Sequence, residues 1–203
     1  MGRTGKLALF AAIVGPIQGI LGWAIAGGLW PEYDWVKQTI SDLAAPESPV
    51  NAIMSSFFVF GSTLTLLIAI DAKTLPKAAR IALFISGLCG YGLTIFPTPL
   101  IGFSVAHRIF AITSFVLSAI WPLLAIRKQP DAPAILKPRP AIIATVLQVA
   151  LAGIFLVVWA DPTVTNVGVW ERLVTVSQAG YMSLVVLFCY AATNPRSVAK
   201  SGA

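Results

Sequence analysis

Residues 52–70, AIMSSFFVFGSTLTLLIAI, and residues 79–95, ARIALFISGLCGYGLTI, are two apolar runs parted by DAKTLPKA and closed by Phe96-Pro97-Thr98-Pro99. A helix needs about 20 apolar residues to cross the hydrocarbon core of a bilayer, so both runs read as spans, the second near the short limit. Two prolines cannot continue a helical hydrogen-bond ladder, and the second span must end there. Working outward in both directions, further runs extend from Leu7 to Leu29, Ile109 to Ile126, Ala141 to Ala160 and Val174 to Ala192. The expected fold is an all-α integral membrane protein, a six-transmembrane-helix bundle forming one domain over residues 1–203.

Composition agrees. The chain is 57% hydrophobic and only 11% charged, whereas soluble domains carry about a quarter charged residues. Most of its surface must therefore face lipid. Six spans put both termini on one side, and eleven of the fourteen Lys and Arg residues fall there: Arg3, Lys6, Lys73, Lys77, Arg80, Arg127, Lys128, Lys137, Arg139, Arg196 and Lys200. Lys37, Arg108 and Arg172 fall on the other side, with most of the acids. The positive-inside rule then predicts cytoplasmic N and C termini in a multi-pass membrane protein. The net charge of +6 reads as anchoring against anionic lipid heads, and no nucleic-acid surface is expected.

Trp30, Trp35, Trp159 and Trp170 lie near the outer span edges, where amphipathic rings favour the head-group region. A cleavable signal peptide competes for the first segment, with Ala24-Ile25-Ala26 as the cleavage site. The run is longer than a usual signal core, and Gly15, Gly19 and Gly22 have the spacing of close helix packing, so it reads as a span. The same glycines leave open whether a second copy or another membrane partner binds there. Cys89 and Cys189 read as free buried thiols, and no ligand spacing for a metal or cofactor is found.

No Asp, Glu, Lys or Arg lies deep in a span, which counts against a pump, a charge-coupled transporter and a retinal Schiff base. A single histidine also excludes bis-imidazole haem ligation. The deep polar groups Gln18, Gln148 and Gln178 are expected to make interhelical hydrogen bonds. Chemistry concentrates at the outer end instead, on Ser41 and Asp42, His107 and Arg108, Asp161, and Glu171 and Arg172. Ser104, His107, Ala111, Ser114 and Ser118 recur at intervals of three and four, one stripe that should face the bundle.

Two readings of this cluster differ in class. In the first, Arg108 or Arg172 holds an anionic lipid head or a partner while Asp42 and Glu171 orient the arginines. In the second, an enzyme acting on a lipid or ester uses His107 as general base, Asp42 to orient it, Ser41 as a candidate nucleophile, and an arginine to stabilise negative charge. Adjacent Ser and Asp point in different directions, which weakens a Ser41-His107-Asp42 triad. Two structural alternatives stand beside them. The cations pair with Asp42 and Glu171 merely to fix the outer loops, and Ser41 or Asp42 caps a short helix. Transport of an uncharged solute stays open.

Ile40-Ser41-Asp42-Leu43, Ser48-Pro49, Gly61, Phe96-Pro97, His107 and Gly168 with Glu171-Arg172-Leu173 together resemble a prokaryotic six-span family catalogued as domain of unknown function 998. The first motif is also similar to the eukaryotic Frag1/DRAM/Sfk1 group, six-span proteins linked to lipid or GPI-anchor handling. The resemblance covers nearly the whole chain. It implies a six-helix membrane domain with Ser41, Asp42, His107, Glu171 and Arg172 gathered on the extracytoplasmic side, and it names no activity. The family pattern often has an acidic residue after Phe-Pro, where Thr98 and Pro99 stand here.

Overall fold

A computed structural model describes residues 2–194; Arg196 and Lys200 lie outside them. Seven α-helices are present among these residues: α1 (Lys6–Gly28), α2 (Ile40–Leu43), α3 (Asn51–Asp71), α4 (Lys77–Ile95), α5 (Val105–Leu124), α6 (Pro138–Ala160) and α7 (Val167–Thr193). A 3₁₀ turn, Ala134–Leu136, precedes α6. All but α2 are long and apolar enough to cross a membrane.

The six long helices form a closed ring. Helix α1 packs on α3, α3 on α4, α4 on α5, α5 on α6, α6 on α7, and α7 returns to α1. The short α2 packs against α1 and α7 at one mouth of the ring. Ala8, Ala11, Ala12, Gly22 and Ala26 form the inward face of α1, while Ile13, Ile17, Ile20 and Leu21 are exposed. Small residues inside and large ones outside are what helix association in lipid requires, because lipid tails offer no hydrophobic driving force and contact depends on close backbone approach.

The terminal face is tied together by polar contacts. Asp71, the last residue of α3, accepts the first free amides of α1 from Leu7 (3.0 Å) and Ala8 (3.1 Å). Arg80 donates to the Ala69 and Ile70 carbonyls at the end of α3 (2.7 Å each), and Arg127 donates to the Thr74 carbonyl (2.8 Å). Arg80 thus caps α3, stabilising orphan carbonyls where the helix dipole is negative, while Arg127 holds the loop between α3 and α4. Above them a core of Leu64, Ile68, Leu83, Trp121, Val185 and Val186 closes the ring.

Two expectations need correction. Helix α5 starts at Val105 with Ser104 as its N-cap, and α7 starts at Val167, seven residues before the apolar run. His107 and Arg108 are therefore first-turn residues of α5, and Glu171 and Arg172 lie in the second turn of α7. Gly22 does pack closely, with Phe57 carbons where its Cβ would stand, but a Cβ at Gly15 or Gly19 would meet nothing within 4 Å. Those two glycines face the space inside the ring.

Candidate functional site

Residues 29–50 fold into a strap over the mouth opposite the termini. Its centre is α2, started by a capping box in which Thr39 Oγ1 accepts the Asp42 amide (3.1 Å) and Asp42 Oδ2 accepts the Thr39 amide (2.7 Å). Of the two capping residues expected, Asp42 does accept a backbone amide of a short helix, while the N-cap itself is Thr39 and Ser41 takes no part in the box. Asn51 caps the other end through its Nδ2 on the Ala44 and Ala45 carbonyls. Burial raises the Asp42 carboxyl above its ordinary value, outweighing the Thr39 bonds and the Arg172 charge that lower it.

The N-terminal end of α7 pins the strap. Glu171 is 5% exposed and accepts the Ile40 amide and the Ser41 hydroxyl (3.2 Å). Arg172 Nη1 donates to the carbonyls of Trp35 (2.8 Å) and Gly168 (2.7 Å), and Nη2 donates to the Tyr33 hydroxyl. Trp23, Tyr33 and Trp35 surround its guanidinium at 5.4 to 5.5 Å from the ring centroids, close enough for cation–π attraction. Tyr33 passes the chain on to the Thr39 carbonyl (2.7 Å). Burial pushes the Tyr33 phenol up, more than the neighbouring Arg172 lowers it, so it stays a donor. The Gly168 amide donates to the Val36 carbonyl (3.0 Å).

The expected ion pairs are not what holds these loops. Among the described residues the one salt bridge joins Lys37 and Asp34 on the surface. Arg172 places both terminal nitrogens on carbonyls and a phenol while its Nε stays buried without a partner, and Arg108 lies over the rings of Phe103 (4.5 Å) and Trp159 (5.3 Å).

His107 faces the bundle as its stripe predicts, 2% exposed. Its Nδ1 lies 3.0 Å from the Phe96 carbonyl, which the Pro97 break leaves without a helical donor, and no carboxylate hydrogen-bonds the ring. With a carbonyl acceptor there, Nδ1 carries the proton. The imidazole serves as a cap joining α5 to the end of α4. We expect His107→Ala to cost about 1–3 kcal/mol through the orphaned carbonyl and the space left behind. Thermal unfolding in nanodiscs checks this, and a change under about 0.5 kcal/mol would contradict the capping role.

Two cavities meet at this mouth. The first, a polar vestibule of about 380 Å³, is lined by Ser41, Asp42, His107, Arg108, Asp161 and Glu171, with aromatic walls from Phe103, Phe155 and Trp159. Six of the seven residues expected at this end thus border one space, while Arg172 stands behind Glu171 on the strap side. The second, a slot of about 240 Å³, runs inside the ring and is lined by residues of α1, α3, α4, α5 and α7. Ser41, Ala111, Phe115 and Glu171 line both. Gln148 and Gln178 bridge helices, donating to the Ser177 carbonyl (3.1 Å) and the Phe115 carbonyl (3.0 Å). Gln18 instead leaves Oε1 buried and unpartnered beside the slot.

Sequence reasoning missed Trp23 and Tyr33, and it named Gly168 within the family motif without giving it a role. Their partners are backbone carbonyls or ring faces, which leave no trace in residue type. A Gly just before Glu171-Arg172 was the available signal. A family model described as "Protein of unknown function (DUF998)" matches residues 13–188. No curated protein and no solved structure matches.

Proposed function

The chain belongs to the DUF998 family of proteins of unknown function, and from that premise we propose that it binds an amphiphile, seating the head in the vestibule and the apolar part in the ring. One observation carries this reading: a polar cavity and a mainly carbon-lined slot share Ser41, Ala111, Phe115 and Glu171. Concave, largely apolar sites with a few convergent polar groups are how proteins hold such ligands. In this reading the vestibule faces the extracytoplasmic side of a prokaryotic inner membrane, supported by the cationic bias of the terminal face.

Charge selects the head. The vestibule offers the acids Asp42, Asp161 and Glu171 against one guanidinium, Arg108. Arg172, the other candidate for an anionic head, directs both terminal nitrogens to the strap and the Gly168 carbonyl and does not line the vestibule. An uncharged, zwitterionic or cationic head is therefore favoured over an anionic one, since like charges without counterions repel in a partly desolvated site.

The enzyme reading draws less support. A general base needs a free, accessible acceptor nitrogen and a group orienting the other nitrogen; the Phe96 carbonyl orients His107 Nδ1 in place of the expected Asp42, which is engaged with Thr39, but the ring is only 2% exposed. Native mass spectrometry of protein released from nanodiscs tests the binding reading. The expected result is one amphiphile per chain, retained when annular lipid is stripped. Loss of every adduct together with the annular lipid would overturn it.

A further inference from the structure

Resting on that binding reading, we infer that the slot inside the ring takes one hydrocarbon chain, so the ligand is a single-chain amphiphile and not a two-chain phospholipid. Length comes first. The slot lining extends along α7 from Glu171 to Met182 and along α5 from Ala111 to Trp121, which at 1.5 Å per residue is about 15 to 17 Å. That is about half the hydrocarbon thickness of a bilayer, the reach of one leaflet's chains.

Width comes next. A cavity of about 150 Å³ takes a single benzene ring. The slot's volume of about 240 Å³ is drawn out over that whole length, which leaves a bore for one chain. Two chains side by side require about double the space at the same packing density.

The walls suit hydrocarbon although they carry hydroxyls. Ser62 donates to the Phe58 carbonyl (2.7 Å) and Thr65 to the Gly61 carbonyl (3.0 Å), each within its own helix. Ser86 is joined to Ser114 (3.0 Å) and Ser118 (2.9 Å). Hydroxyls satisfied in this way need no water, so the bore can stay dry. Two buried atoms on the wall lack a partner: the acceptor Gln18 Oε1 and the donor Trp23 Nε1. A buried orphan donor calls for an acceptor from a bound molecule, and Trp23 belongs to the slot lining, as do Ser41 and Glu171 at the vestibule. An ester or ether oxygen near the head of the chain would supply it.

Glycine gives the means of testing this. Gly15 lies on the inward face of α1, on the slot, and a Cβ there meets nothing within 4 Å. Gly15→Leu starts its side chain from a Cβ that displaces no neighbour and extends it into the bore as a plug. Gly153 on α6 is exposed and equally uncrowded, outside both cavities, so Gly153→Leu is the control.

The probes are alkyl phosphocholines with octyl, dodecyl and hexadecyl chains, a dihexadecyl analogue, and a farnesyl phosphocholine, titrated onto wild-type protein in nanodiscs and read by native mass spectrometry. Binding is expected to rise from octyl to hexadecyl at one per chain, with the dihexadecyl analogue at least about tenfold weaker, as overpacking of a filled bore implies. Gly15→Leu should weaken the hexadecyl probe by about tenfold or more and the octyl probe far less, while Gly153→Leu changes neither. The tighter of the dodecyl and farnesyl arms names the source of the chain, acyl or isoprenoid. Dihexadecyl binding equal to hexadecyl, or no chain-length dependence, overturns the single-chain inference and leaves the binding reading standing. No stoichiometric binding of any probe by wild-type protein overturns both. The wild-type series decides the matter even if the plugged variant does not fold.

Discussion

Gly168→Ala is expected to unseat the strap and to be the most damaging single-methyl change in the chain. A Cβ at this position would stand 2.1 Å from the Gln38 carbonyl oxygen and 2.8 Å from Arg172 Nη1, and the first of these is main chain that cannot rotate away. Relief requires either the strap or the start of α7 to move. Moving the strap breaks the bond between the Gly168 amide and the Val36 carbonyl and those from Arg172 to the Trp35 and Tyr33 oxygens. Overpacking alone costs about 1–3 kcal/mol, and each lost bond to a charged donor adds about 1.5 kcal/mol or more. We expect a total of roughly 3 kcal/mol or above, read by thermal unfolding in nanodiscs through tryptophan emission, since Trp23 and Trp35 flank the guanidinium. Stability within about 0.5 kcal/mol of wild type would contradict the pinned strap.

Glu171 is the second such position, and two substitutions separate its roles. Glu171→Ala leaves the Ile40 amide without an acceptor in a buried place, at a cost of about 1–3 kcal/mol, and frees Ser41 from its only acceptor. The strap should loosen and amphiphile retention should fall with it. Glu171→Gln keeps a carbonyl oxygen for the amide while removing the charge. It should stay within about 1 kcal/mol of wild type and lose mainly the preference for cationic over anionic heads. Unfolding curves and the retained adduct, measured on both variants, check the pair. Equal loss of stability in both would make the charge, and not the acceptor, the property that holds the strap.

These expectations depend on contacts that residue type alone does not announce. The spans were legible because a bilayer demands uncharged length, and Leu7 to Leu29 differs from α1 by one residue at each end. The starts of α5 and α7 were not. Ser104 caps the first turn that carries His107 and Arg108, and the turn holding Glu171 and Arg172 is equally polar, so a search for apolar runs begins too late in both. The gathering of Ser41, Asp42, His107 and Glu171 at one end followed from their positions relative to the spans. How His107 and Arg172 are satisfied did not, because Phe96, Gln38 and Trp35 contribute carbonyls that every residue possesses. Gly15 and Gly19 illustrate the same boundary. A small residue on an inward face means contact when the opposing helix is near and space when it is not, and only the closed ring of six helices decides which.

The most direct test of the account is a density map of the protein purified in its native lipid, without delipidation. The predicted result is one elongated density that starts beneath Ser41 and Glu171, passes Gly19 and Gly15, and ends toward Trp121. A collapsed slot, or one holding only separate water-sized peaks along the Ser86, Ser114 and Ser118 hydroxyls, would contradict it.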